Sequence, residues 1–270
     1  MASLSIRPAA VAGMFYPGSA AGLAAEVRNF LANAQAANAP APKALIVPHA
    51  GYVYSGAVAA SAYACLAAAR AAIRRVILLG PTHRVAIRGL ALPAAAAFDT
   101  PLGRVPVDLE LEKILLALPQ VQQSEAAHAE EHSLEVQLPF LQIALDNFSV
   151  LPLAIGMAST EEVAEALECV WGGPETLIVI SSDLSHYHPY AEAQQLDHET
   201  ARQILALQAL ANHEQACGAT PVNGLLLCAR RRGLQAQLLD LRNSGDTAGD
   251  RSRVVGYGAF SFKEAAAYEH

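Results

Sequence analysis

Four short runs rich in β-branched and leucine residues punctuate the chain at 44–47, 75–79, 149–155 and 176–180. Each is followed by a turn signal and then by a stretch of helical period, the alternation expected of an α/β fold with helices on both faces of its sheet. None of the four alternates strictly between apolar and polar, so each reads as a strand covered on both sides. A fifth run at 253–262 alternates in part and reads as an edge or antiparallel strand. The expected architecture is therefore a single α/β domain over 1–270, with a central mixed, largely parallel sheet flanked by helices.

The punctuation supports this reading. Ser159 followed by Glu162 is a capping-box start for a helix running towards Trp171, with Gly172 and Gly173 ending it. Gly218 and Pro221 are read as separating two helices, and 98–103 as a turn between two short apolar pieces. The Ala-rich stretch 32–42 reads as a surface connection, and no repeat or linker divides the chain.

Composition narrows the function classes. Hydrophobic residues make up 53% and charged residues 16% of the 270 positions, enough to build a large core. The formal net charge is −7 and the basic residues form only short local clusters such as Arg230, Arg231 and Arg232, so a nucleic-acid partner is not expected. Pro8, Gly13 and Pro17 interrupt the opening residues before a signal region could form, and the apolar stretch 55–73 is mostly Ala and Ser, which reads as a buried helix and not as a membrane span. Cys65, Cys169, Cys217 and Cys228 show no CxxC pair and read as reduced thiols, the first, second and fourth as core residues. A cytoplasmic setting is the corresponding expectation.

Chemistry is expected where the strands end, because loops there carry polar groups over a rigid base. The run at 44–47 leads to His49, that at 75–79 to His83, and that at 176–180 to Asp183 and His186. Imidazoles from adjacent loops suit a transition metal that keeps a position open for substrate. Asp183 and His186, three residues apart, would enter one cleft from a single helical turn, as general base or as partner to a ligand. The segment 130–137 places His132 and Glu135 three apart on one helix face, either as a solvated acidic helix start or with His132 as an acid/base group near the metal. Tyr52, Tyr54 and Tyr187 offer a peptide- or metabolite-binding surface near the same cleft, and Cys217 beside a His is a possible thiol nucleophile.

Taken together, ArgProAlaAlaValAlaGlyMetPheTyrPro at 7–17, ValProHisAlaGlyTyrValTyrSerGly at 47–56, LeuLeuGlyProThrHis at 78–83, GluHisSerLeuGluValGlnLeuProPhe at 131–140, SerSerAspLeuSerHisTyr at 181–187, CysGlyAlaThrPro at 217–221, and SerGlyAspThr followed by ValValGlyTyrGly resemble the Memo family, also called AmmeMemoRadiSam system protein B. The resemblance runs from about Arg7 to about Phe262. It implies a fold similar to that of the class III non-haem iron extradiol dioxygenases, and a metal held by His49, His83 and Cys217, with Asp183 and His186 lining the cleft. It raises Cys217 above what its own sequence context suggests. The resemblance implies Fe(II), with Cu or Zn as alternatives, in a dioxygenase-like redox role. The thiolate in place of the carboxylate of the extradiol enzymes argues against ring cleavage itself and for Fe(II), Cu or Zn over Mg or Ca. The resemblance also implies a small molecule or peptide as ligand and a radical SAM protein as pathway partner. The animal member's role in binding phosphotyrosine peptides is not carried over, because nothing in the sequence marks a phosphotyrosine pocket and the acidic chain has few clustered Arg to receive one.

Overall fold

The computed structural model describes residues 5–34 and 41–264, so most of the expected 32–42 connection lies outside the described residues. The first half contains β1 (Ile6–Arg7), α1 (Ala20–Asn33), β2 (Ala44–Val47), α2 (Tyr52–Tyr63), β3 (Arg75–Pro81), β4 (Leu90–Leu92), β5 (Ala97–Thr100), β6 (Gly103–Pro106), α3 (Leu109–Leu115) and β7 (Val121–Gln123). Then follow α4 (Glu125–Ala129), α5 (His132–Glu135), α6 (Leu138–Ala144), β8 (Ser149–Ile155), α7 (Thr160–Cys169), β9 (Thr176–Ser181), β10 (His186–His188), α8 (Tyr190–Leu205), α9 (Ala219–Arg232), β11 (Leu234–Asn243) and β12 (Val254–Glu264).

Among the described residues, nine strands form one mixed sheet in the order β10-β12-β2-β9-β3-β8-β4-β7, with β11 also paired to β12. Its centre, β2-β9-β3-β8, is parallel, and these are the four apolar runs of the sequence. The run near the end is antiparallel, but it is not an edge: β12 lies between β2 on one side and β10 and β11 on the other. A small sheet, β1-β5-β6, caps one side.

Alternate side chains of the central strands enter two separate cores, as the two-residue period of a strand requires. Leu45, Val47, Val76, Leu78 and Val179 pack under α1, α2 and α6. Ile46, Ile77, Leu79, Ile178 and Ile180 pack under α3, α7, α8 and α9. Each such side chain contributes roughly 1.5–3 kcal/mol on burial, which explains why polar residues in these strands are confined to their ends, as at Arg75, Ser149, Thr176 and Ser181. The apolar stretch Tyr52–Ala69 is long and apolar enough to cross a membrane, yet 67% of it is buried inside the fold. Val58, Ala60, Tyr63 and Leu66 lie in the first core, so this is a core helix.

Local signals hold in part. α7 begins with the Ser159–Glu162 capping box, and 97–106 is a hairpin that turns at Thr100–Gly103, with Phe98 and Asp99 already in the strand. Gly218 caps α9 at its start, but Pro221 lies in that helix's first turn and does not separate two helices; proline's missing N–H costs nothing there. Cys65 and Cys228 are buried as expected, whereas Cys169 at the end of α7 is exposed; all four cysteines are free.

The parallel strands position the site. The chain passes from β2 two places across the sheet to β3, continues one place to β8, and returns two places to β9. Ligand sites of open α/β sheets form beyond the carboxyl ends of strands at such a reversal. His49 follows β2, His83 follows β3 and Asp183 follows β9 at that edge.

Candidate metal centre

The loops after β2 and β3 and the short helix α5 bring three imidazoles together. Ring centroids of His49, His83 and His132 are 5.2, 5.5 and 4.6 Å apart pairwise. One nitrogen from each ring lies within 4.8 Å of the others, so these three residues could hold a metal ion. His49 is buried, His132 mostly so, and the His83 side chain is 30% exposed. Burial, with His83 beside it, lowers the His49 imidazole to about 3. Burial and His49 lower that of His132 to about 4. Both rings are therefore neutral at physiological pH, the form that binds metals. The Nδ1 of His132 is buried without a hydrogen-bond partner among the described residues, and Phe15 packs on its ring at 4.8 Å.

Each of the other two rings is held through Nδ1. His83 Nδ1 is 2.9 Å from Glu131 Oε1, and the His83 backbone N–H donates to Glu131 Oε2 at 2.5 Å. Ser133 N–H donates to the same carboxylate at 2.9 Å. Burial works against the Glu131 charge, but these bonds overcome it and bring the carboxyl down to about 2. His49 Nδ1 is 3.0 Å from Ser181 Oγ, the last residue of β9.

Cys217, immediately before α9, places Sγ 3.3 Å from His49 Nε2. Burial, with the Asp183 carboxylate nearby, pushes its thiol up to about 12, so a free thiolate nucleophile is disfavoured at neutral pH. Cys217 and His49 are both anchored by Asp183. Its Oδ1 accepts the His49 backbone N–H at 2.7 Å and its carbonyl accepts that of Cys217 at 3.2 Å. Asp183 is buried, which raises its carboxyl above the usual range against the opposing bond from His49.

A cavity of about 1300 Å³ opens beside these groups, lined among others by His83, His186, Tyr187, His213 and Cys217. His186 Nδ1 is 2.8 Å from the Leu184 carbonyl. The expected helical turn over 183–186 is absent: His186 begins β10, and the next residue, Tyr187, has φ 63°. That left-handed conformation costs a non-glycine residue of order 1 kcal/mol, and it displays the Tyr187 ring, 62% exposed, at the cavity mouth. Tyr54 is also exposed, but Tyr52 is not a cleft residue. It is buried against Tyr16, Phe30 and Phe140, with its hydroxyl donating to the Val136 carbonyl.

The segment 130–137 is not a solvated helix start, since Glu131 and Glu135 are both buried. Glu135 does not reach the site. It pairs with Arg7 and accepts Ala10 N–H at 2.8 Å, Val11 N–H at 3.0 Å and Tyr16 O–H at 2.5 Å. The acidic residue that supports the imidazoles is Glu131, which helical spacing passes over because it caps α5 and its side chain folds back on the turn. Ser181, Ser133 and Gln137 were likewise unmarked in the sequence, and a Ser ending a buried strand beside a strand-end His was the available signal.

Comparison with known proteins agrees with the motifs. A family model described as Memo-like protein matches residues 7–261. A MEMO1 family protein of Archaeoglobus fulgidus is 34% identical over 96% of this chain and 100% of its own. That of Aquifex aeolicus is 36% identical over 94% and 98%. Among solved structures, uncharacterized protein JW3007 from Escherichia coli K12 shares the fold at a TM-score of 0.51 and 15% identity, over 79% of this chain and 98% of that one. The chain thus belongs to the Memo family.

Proposed function

We propose that the strand-end cluster binds one divalent first-row transition-metal ion and serves iron-dependent, dioxygenase-like redox chemistry on a small molecule admitted by the adjoining cavity. The observation that carries this reading is the convergence of one nitrogen each from His49, His83 and His132 to within 4.8 Å. His49 and His83 would hold the ion through Nε2, because Nδ1 of each is already engaged. Cys217 Sγ, 3.3 Å from His49 Nε2, would add a thiolate, and His132 Nδ1, which faces Glu131 Oε1 at 3.5 Å without a hydrogen bond, would leave that ring free to turn towards the ion. Imidazole with thiolate suits Fe(II), Cu or Zn and does not suit Mg or Ca; the family resemblance favours Fe(II) among them.

Bound Fe(II) would supply one-electron chemistry that no side chain here possesses. The protein's own part is to hold the His49 and His132 rings neutral by burial, to leave one side of the cluster open to the cavity, and to place a proton carrier at its wall. His186 suits that last role, since Nδ1 engaged with Leu184 leaves Nε2 to take or give a proton. Asp183, buried behind His49, orients the His49 and Cys217 backbones. Titration of the chelator-treated protein with Co(II) without oxygen tests the reading. Near-stoichiometric binding is expected, with a near-ultraviolet thiolate band that Cys217→Ser removes. Absence of binding by the wild type would overturn it.

A further inference from the structure

A buried chain of hydrogen bonds between the two best-fixed imidazoles determines more than their positions, and donor counting along it is unambiguous. Tyr63 O–H donates to Gln137 Oε1 at 2.9 Å, and Gln137 Nε2 donates to the Pro48 carbonyl and to Ser181 Oγ, each at 2.8 Å. The amide cannot be flipped, because its oxygen would then face the Pro48 carbonyl, which has no proton to give. Ser181 Oγ has a single hydrogen, and the Ser133 carbonyl at 2.5 Å takes it. The contact from Ser181 Oγ to His49 Nδ1 at 3.0 Å must then be one that Ser181 accepts. His49 therefore carries its proton on Nδ1.

At His83 the same result comes from a different group. The Glu131 carboxylate accepts from His83 N–H and Ser133 N–H, and, since a carboxylate can only accept, the 2.9 Å contact with His83 Nδ1 is one that Nδ1 donates; His132 Nδ1, 3.5 Å from Oε1, makes no hydrogen bond to it. Ser133 joins the two arrangements through its backbone, its N–H donating to Glu131 and its carbonyl accepting from Ser181. Ser133, Gln137, Ser181 and Glu131 are all buried, so water does not compete for these bonds.

We infer that Ser181, held by Gln137 and Ser133, and Glu131 are positioning residues that lock His49 and His83 as Nδ1–H tautomers before any ion arrives, presenting both Nε2 lone pairs to the cluster. This rests on the reading of His49 and His83 as metal donors for its purpose, but not for its test. The nitrogen that faces the ion is set in advance, so binding needs neither proton transfer within a ring nor ring reversal. The lock also makes His49 Nε2 an acceptor for the Cys217 thiol while no ion is present.

Long-range ¹H–¹⁵N correlation spectra of the imidazoles in the chelator-treated protein at pH 7.5 report the tautomers directly. His49 and His83 are expected with protonated Nδ1 and bare Nε2. Ser181→Ala should shift His49 towards the Nε2–H form and leave His83 unchanged, Glu131→Gln should affect His83, and Ser181→Thr, which keeps the hydroxyl, should restore His49. Co(II) affinity should fall by about 10–100-fold in Ser181→Ala and in Glu131→Gln. An Nε2–H His49 in the wild type, which needs no variant to observe, would overturn the inference. So would an unchanged His49 tautomer in a folded Ser181→Ala. Locked tautomers in a wild type that binds no Co(II) would leave the lock standing and sink the proposed metal function.

Discussion

Replacing Glu135 with Gln removes one charge and almost no volume from the N-terminal anchor of the fold. The Glu135 carboxylate is fully buried and every neighbour is a donor: the Arg7 guanidinium, Ala10 N–H, Val11 N–H and Tyr16 O–H. Burial and the Glu135 charge raise the Tyr16 hydroxyl above its ordinary value, so it stays protonated as a donor. An amide must turn its NH₂ towards one pair of these donors. The less costly orientation faces Tyr16, whose hydroxyl can rotate to accept, and leaves Val11 N–H orphaned. Arg7, only 5% exposed, then lacks its counter-charge, and breaking a buried pair by removing one partner costs about 3–5 kcal/mol. An orphaned buried N–H costs about 1–3 kcal/mol more. A loss of about 4 kcal/mol or more is expected from urea unfolding followed by circular dichroism at 25 °C, a large share of the 5–15 kcal/mol typical of a domain. Tyr16→Phe, which deletes one bond to the carboxylate, should cost about 1.5–3 kcal/mol. A Glu135→Gln loss below about 1 kcal/mol would refute the view that this carboxylate ties residues 7–16 to α5.

Other outcomes follow from the same geometry. A Cβ on Gly80 would lie 2.8 Å from Ser133 Oγ, so Gly80→Ala should displace the Ser133 turn and weaken Co(II) binding at least about tenfold by way of Glu131; unchanged affinity in a folded variant would count against that coupling. His128 is buried with Nε2 bonded to the Ala91 carbonyl, and burial lowers it from 6.5 to about 4. The unfolded chain takes up this proton first as pH falls, so the stabilising effect is complete above about pH 6.5 and is lost towards pH 4. Between pH 7.5 and 5 the loss should be about 2 kcal/mol, and unfolding at the two pH values should show that much less pH dependence in His128→Gln than in the wild type. Tyr52→Ala should cost about 3–5 kcal/mol as a core truncation, whereas Tyr187→Ala, at an exposed strained position, should leave stability within about 1 kcal/mol of the wild type; equal effects in thermal melts would contradict their assigned environments.

The sheet was legible because its central strands are buried on both faces and apolar apart from their ends, so 44–47, 75–79, 149–155 and 176–180 stand out from sequence. His49 and His83 were legible as strand-end residues for the same reason. Their supports were not, because they come from far along the chain: Glu131 lies 48 residues from His83, and Ser181 lies 132 from His49. Helical spacing selected Glu135 over Glu131, but tertiary contact with Arg7 claims the former, while capping geometry directs the latter to His83. Tyr52 looked like a cleft residue from its place after His49, yet helix α2 turns it into the core. The extended 183–186 segment with its positive φ at Tyr187 follows from pairing with β12, a partner about 70 residues away that no local pattern announces.

The most direct test of the metal centre is elemental analysis of protein purified without oxygen, wild type beside the His49→Ala/His83→Ala double variant. Close to one equivalent of iron, copper or zinc in the wild type and almost none in the folded double variant is the predicted result. Equal metal in both, or less than about a tenth of an equivalent in a wild type that also fails to take up added Fe(II), would contradict it.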